Sequence, residues 1–193
     1  MNNDIINFFR TRRTYRKFRQ EPLPDEIINE ITEAARLSSC GGNRQNLKYV
    51  VIKSLENIRK LNSLVKWAGY LPKEVGTPCT SEIPVMFIAV LQDTSVSPVS
   101  DIDAGLAIGN MTACAWAHGV GSCIMGAIDR PAIKEMLNLP EHYVLSTVVA
   151  FGYPSKKSYV VDMKDDSIKY YLDENGDTCV PKRSREEIIR FFD

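Results

Sequence analysis

Arg12, Thr14 and Arg16 alternate within Arg10-Thr-Arg-Arg-Thr-Tyr-Arg-Lys-Phe-Arg19, a segment with six basic residues in ten positions. If it is extended, all three point the same way, and Arg12 to Arg16 span ~13 Å at ~3.3 Å per residue. That is the length of a mononucleotide. Guanidinium groups suit bidentate contact with anions, so one arginine and the hydroxyl match a phosphate while the second arginine matches the far end of the same ligand. A solvated basic loop or a targeting patch is the alternative reading of such composition. Lys182-Arg183 and Arg185, near the opposite end of the chain, stand beside an expected helix N-terminus, itself favourable for an anion. The two clusters can therefore share one phosphate.

Other chemistry is sparse. Gly119-Val-Gly121-Ser-Cys-Ile-Met-Gly126 lacks the spacing of a dinucleotide fingerprint and precedes a strand, so its glycines serve either close approach to a flat ligand or a turn. His118 and His142 accompany no nucleophile motif and read as structural. Five cysteines, an odd number in no C-x-x-C pair, argue against a disulfide framework or a zinc site and predict a cytoplasmic protein. Cys114 and Cys123 read as core residues, and Cys40 as the exposed thiol. The N-terminus has its apolar stretch before the arginines, the reverse of a secretory signal.

These residues belong to a chain of 193, within reach of one hydrophobic core, and a single domain over 1–193 is expected. Its 24 basic and 24 acidic side chains cancel, which argues against nucleic acid or an anionic membrane as partner. Residues 104–128 contain no Asp, Glu, Lys or Arg, and 25 such residues could span a bilayer, but five glycines and the turn signal at His118-Gly-Val-Gly121 divide them into helix and strand.

Periodicity supplies the elements that must position the arginines. Ile5, Ile6, Phe8 and Phe9 predict a helix over 4–11. Pro22-Leu-Pro24 opens a second, with Ile27, Ile31, Ala34, Ala35 and Leu37 on one face, which ends at Ser38-Ser-Cys-Gly-Gly42. Strands are expected at 49–52, 84–91 and 146–151, and a Ser54-capped helix to about Trp67. Residues 69–83 read as a surface excursion and candidate lid. The helix over 102–118 is apolar or small on every face and is expected to be surrounded by protein. Beyond Pro154 the tail reads as polar and irregular up to the Ser184/Glu187 capping box.

Taken in order, Arg12-Arg-Thr-Tyr-Arg16-Lys-Phe with Pro-Leu-Pro24, Ala34-Ala-Arg-Leu-Ser-Ser39, Gly42-Asn43-Arg-Gln45, Asp103-Ala-Gly105 with Asn110, Gly119-Val-Gly-Ser-Cys, Gly126-Ala and Gly152-Tyr-Pro154 resemble the nitroreductase family of FMN-dependent NAD(P)H oxidoreductases. Two departures fall in one loop: Asn46-Leu47 replaces the family's Pro-Trp, and serines stand at 38 and 39 where a proline is common. The resemblance implies an α+β, nitroreductase-like α/β sandwich with a mostly antiparallel central sheet flanked by helices, in an intertwined homodimer with flavin sites at the interface. It implies FMN as cofactor, with Arg12 and Thr14, joined by Lys182 and Arg183, at the phosphate, Arg16 at flavin N1 and O2, and Arg13 also among the cofactor-binding residues. Ser39, Cys40, Gly41, Asn43 and Gln45 are implied to approach the ring from the partner, while Met125 and Gly126 offer backbone N–H groups to N5 or O4. Hydride would pass from NAD(P)H through the flavin to a nitroaromatic or quinone, with no side chain acting as base. A reductive dehalogenase, a flavin-fragmenting enzyme and a non-catalytic flavin-binding protein are the alternatives.

Overall fold

Every residue of the strand Met86–Asp93 (β2) is buried, because it lies inside a four-stranded sheet with helices on both faces. The computed structural model describes residues 3–192. The strands Leu47–Ile52 (β1), Gly121–Met125 (β3) and Tyr143–Gly152 (β4) complete the sheet in the order β1-β2-β4-β3, every pair antiparallel. Alternation along β2 separates two cores. Phe87, Ala89 and Leu91 face the helices Leu55–Ser63 (α3) and Arg130–Met136 (α6), through Ile58, Leu61 and Ile133. Met86, Ile88 and Val90 face Asp25–Arg36 (α2) and Asp101–Ala117 (α5), through Ile28, Ile31, Ala104, Ile108 and Met111. The helix–sheet–helix layering and antiparallel sheet are those expected.

Three expectations change. The helix after Ser54 ends at Ser63, not near Trp67, because Val65 leaves it to bridge Ile128, and the Lys66 and Asp129 amides donate across the same junction. The tail beyond Pro154 is not irregular: Ser158–Asp162 (β5), Tyr171–Leu172 (β6) and Thr178–Lys182 (β7) form a second sheet, with β5 parallel to β7. Its tight turn is held by Asp173, whose carboxylate accepts from the amides of Asn175 and Asp177. The third change concerns α5. One face is buried, but Ile102 is 77% exposed and Leu106 46%, and a Cβ at Gly105 or Gly109 would meet nothing within 4 Å. A single chain leaves this apolar stripe uncovered.

The remaining helices are short or terminal: Asn3–Thr11 (α1), Lys73–Gly76 (α4) in the 69–83 excursion, and Arg185–Ile188 (α7), where the Ser184/Glu187 capping box forms as expected. Among the described residues no helix is long and apolar enough to cross a membrane.

Candidate functional site

Between α1 and α2 the chain runs extended against the open edge of β3. The Tyr15 amide donates to the Ser122 carbonyl at 2.9 Å, Thr14 bridges Ser122 in parallel, and Phe18 bridges Pro154. Two glycines permit this approach: a Cβ at Gly121 would stand 2.8 Å from Tyr15 and Pro154, and one at Gly152 would stand 3.0 Å from Phe18. Buried Tyr15 and Phe18 anchor the ribbon, and Tyr15 stacks on Trp116 with ring centroids 5.2 Å apart. Arg12, Thr14 and Arg16 thus lie in the extended backbone that their alternation requires.

The arginines are held but not satisfied. Arg12 donates through Nη1 to the Thr112 hydroxyl on α5 at 3.2 Å, and Arg13 donates through Nη2 to the Phe9 carbonyl at 2.6 Å. The buried Nε atoms of both have no hydrogen-bond partner among the described residues. Burial, and then the charge of Arg12, lower the pKa of Arg13. Guanidinium donors left unused in this way suit contact with an anion. Arg16 lies with Cζ 4.2 Å from the centre of the Tyr170 ring, a cation–π contact that brings the tail onto the ribbon.

The loop after α2 is placed by the other end of α5. The Gly41 amide donates to Asp103 Oδ1 at 3.0 Å, and the Gln45 amide to Cys40 Sγ at 3.4 Å. Gly42, Asn43 and Gln45 adopt left-handed φ values of 59°, 53° and 53°. With Ser38, Lys48 and Tyr49, Cys40 and Gln45 line a cavity of about 200 Å³. Asn46 is buried and donates to the Pro98 carbonyl, so the departure from Pro-Trp supplies a polar tie across the loop. Asp103 and Thr112 are nine residues apart, which separates the loop from Arg12 by ~14 Å along one helix at 1.5 Å per residue.

Met125 ends β3 three residues beyond the ribbon's contact at Ser122, and Gly126 follows it. Met125 is buried, and its carbonyl accepts from the Thr147 hydroxyl at 2.6 Å. Gly126 lies on a cavity of about 460 Å³ with Lys66, Asp129 and Arg130, and a Cβ there would meet nothing within 4 Å. Lys182 ends β7, and Arg183 is paired through Nη1 with Glu187 at 2.9 Å and Asp166 at 3.5 Å. Among the described residues no contact joins Lys182 or Arg183 to Arg12 or Thr14. Ser39 is exposed in the same loop as Cys40.

Three contributors have partners that a reading of motifs does not supply. Thr112 is a hydroxyl in an apolar helix, a signal available in the sequence. Asp103 stands in a recognisable motif, but its bond to Gly41 spans 62 residues. Tyr170 lies in a polar tail and gives no local signal. Cys79 is exposed and Cys40 only partly so, reversing the expectation that Cys40 is the open thiol.

Known proteins share this fold. The model of the nitroreductase family matches residues 9–76 and 78–153. A protein of Archaeoglobus fulgidus named for NADH dehydrogenase or NAD(P)H nitroreductase activity is 26% identical over 170 residues, covering 84% of this chain and 92% of its own. An FMN reductase [NAD(P)H] of Bacillus subtilis is 24% identical over 178 residues, covering 81% of this chain and 68% of its own. The solved structure of an FMN-dependent nitroreductase from Clostridium difficile R20291 superposes with a TM-score of 0.69 at 21% identity, over 97% of this chain and 99% of that one. With the family's pattern matched from the ribbon through the last strand of the main sheet, the chain belongs to the nitroreductase family.

Proposed function

We propose that this chain is an FMN-dependent oxidoreductase that passes hydride from NAD(P)H to an electron-poor acceptor, a nitroaromatic or a quinone, and that it acts as a homodimer. The observation that carries this is the ribbon, where Arg12 and Arg13 present buried Nε donors without partners beside Thr14. A phosphate supplies the acceptor oxygens and negative charge that those donors lack. When bound, FMN supplies the redox chemistry, which explains a family member without a side-chain base.

The protein's own residues bind and orient. Arg12, Arg13 and Thr14 hold the phosphate. Lys182 and Arg183 add positive charge, Arg183 by exchanging Glu187 for the ligand. Arg16 supports negative charge at the N1/O2 side of the ring, and the backbone of Met125 and Gly126 offers donors at the other side, where the missing Cβ leaves room. Ser39, Cys40, Gly41, Asn43 and Gln45 contribute from the partner subunit. Their separation from Arg12 along α5 supports a site shared between two chains.

Two uncovered apolar surfaces support the dimer: the α5 stripe of Ile102, Gly105, Leu106 and Gly109, and the C-terminal Ile188, Phe191 and Phe192, which are 66%, 75% and 92% exposed. Exchange of that terminal segment between subunits covers both kinds of surface. Five free thiols suit a reducing compartment, the cytoplasm.

The test is anaerobic titration of the purified yellow protein with NADH and NADPH, followed by nitro, quinone and halogenated acceptors. Bleaching by a nicotinamide and reoxidation by a nitro or quinone acceptor is expected. Reoxidation by halogenated compounds alone would make it a dehalogenase, and flavin that neither donor bleaches would make it a binding protein.

A further inference from the structure

On the side of α5 that packs against α2, away from the uncovered stripe, three potential metal ligands of different chemistry converge. Cys114 and His118 are four residues apart, one turn of α5, and Glu30 reaches them from the middle of α2. The His118 Nε2 and Glu30 Oε2 atoms are 2.7 Å apart, and the sulfur, nitrogen and carboxylate oxygen all lie within 4.8 Å of one another. Among the described residues this is the one such group.

We propose that Glu30, Cys114 and His118 form a site for a divalent transition metal of borderline softness, with Zn(II) the best match. The donor set is the first reason: one thiolate, one imidazole and one carboxylate are the three ligand types that zinc accepts, and a water completes four-coordination. Geometry is the second. Bonds of ~2.0 Å to nitrogen and oxygen and ~2.3 Å to sulfur at tetrahedral angles put ligand atoms about 3.3 to 3.7 Å apart. The His–Glu pair opens and the sulfur closes by about 1 Å or less from the distances present, within the reach of side-chain rotation.

Rigidity is the third reason. The ligands stand on two long helices packed side by side, and one turn before Cys114 the Asn110 amide donates to the Ala34 carbonyl at 3.2 Å across the same seam. His118 is also the C-cap of α5, where the negative end of a 17-residue helix dipole favours a cation. On metal binding the Zn–S bond forms as the S–H bond of Cys114 breaks, and the proton leaves to solvent. The alternative is that Glu30 and His118 only tie the helices by a hydrogen bond.

Equilibrium dialysis of the flavin-loaded protein against buffered Zn(II), with bound metal counted by atomic spectroscopy, tests this. One zinc per chain is expected. Cys114→Ser and His118→Gln should each weaken binding by more than the roughly 10- to 100-fold that loss of an outer-shell partner costs. Co(II) substitution should give tetrahedral d–d bands to the red of the flavin absorption, lost in Cys114→Ser. Circular dichroism and retained flavin show that the variants are folded, and neither readout depends on turnover. Zinc uptake equal in wild type and in the Cys114→Ser/His118→Gln double variant, or Co(II) bands that survive it, overturns the site whatever the fate of the flavin assignment.

Discussion

The amide of Gly41 donates to a buried oxygen of Asp103 at 3.0 Å, so the first turn of α5 sets the height of the loop that follows α2. Asp103 is itself fixed, its amide held by the Ser100 N-cap at 3.3 Å. A hydrogen bond to a charged acceptor contributes about 1.5 to 3 kcal/mol. Asp103→Ala should lower stability by that amount in urea unfolding and speed proteolysis within Cys40–Gln45, while Asp103→Asn, which keeps an acceptor oxygen, recovers part of both.

Arg12→Ala should weaken FMN binding by roughly 1.5 to 3 kcal/mol, the contribution of a charge-assisted hydrogen bond. Fluorescence quenching during flavin titration of the apoprotein measures it. Thr112→Val, which removes the hydroxyl that orients Arg12, should produce a smaller loss in the same direction. Unchanged affinity in Arg12→Ala removes the phosphate role.

Arg16→Met should lower the FMN midpoint potential by about 30 to 60 mV, since roughly 1.5 to 3 kcal/mol of stabilisation of the reduced anion converts at ~30 mV per 1.4 kcal/mol. Methionine keeps an unbranched apolar stem that can pack beside the Tyr170 ring and removes the charge. Redox titration against a reference dye decides it: coincident potentials in wild type and variant show that Arg16 does not tune the ring.

Leu106→Glu places a charge on the uncovered stripe of α5 and, by two-fold symmetry, repeats it on the opposing copy. Sedimentation velocity should show a dimer for wild type and a monomer with diminished flavin for the variant. A flavin-loaded wild-type monomer at micromolar concentration would remove the shared site.

Alkaline pH should destabilise the fold. Burial pushes the Cys123 thiol up to about 11, and the hydroxyls of buried Tyr15 and partly buried Tyr49 up to about 12. Below about pH 8.5 the Cys123 thiol is protonated whether the chain is folded or not, and its stabilising term is fully present. As pH rises, the unfolded thiol loses its proton first, so stability falls between about pH 9 and 11, by up to about 3 kcal/mol from this group. The tyrosines extend the loss above pH 10. Urea midpoints should be flat near neutrality and decline above pH 9, with a shallower decline in Cys123→Ala.

Local pattern carried most of this architecture. The buried run of β2, the Ser54 and Ser184 caps, and the alternation of Arg12, Thr14 and Arg16 each express a backbone period or a cap in a few adjacent residues. What escaped depends on distant partners. Val65 leaves its helix for Ile128, β5 exists through its pairing with β7, and Tyr170 reaches Arg16 from the far end of the chain. The face of α5 left open by one chain follows the same rule: an all-apolar helix specifies that it is covered, and here the cover is expected from a second copy.

The ribbon also dictates an order of events during synthesis. Arg12 meets Thr112 across 100 residues, Tyr15 docks on Ser122, and Phe18 seats against Pro154. Contacts of such long sequence separation form late in folding. On the ribosome the basic segment emerges first and waits, unpaired, until β3 and β4 have left the exit tunnel. If this segment holds the FMN phosphate as proposed, nascent chains halted before residue 154 should not retain flavin.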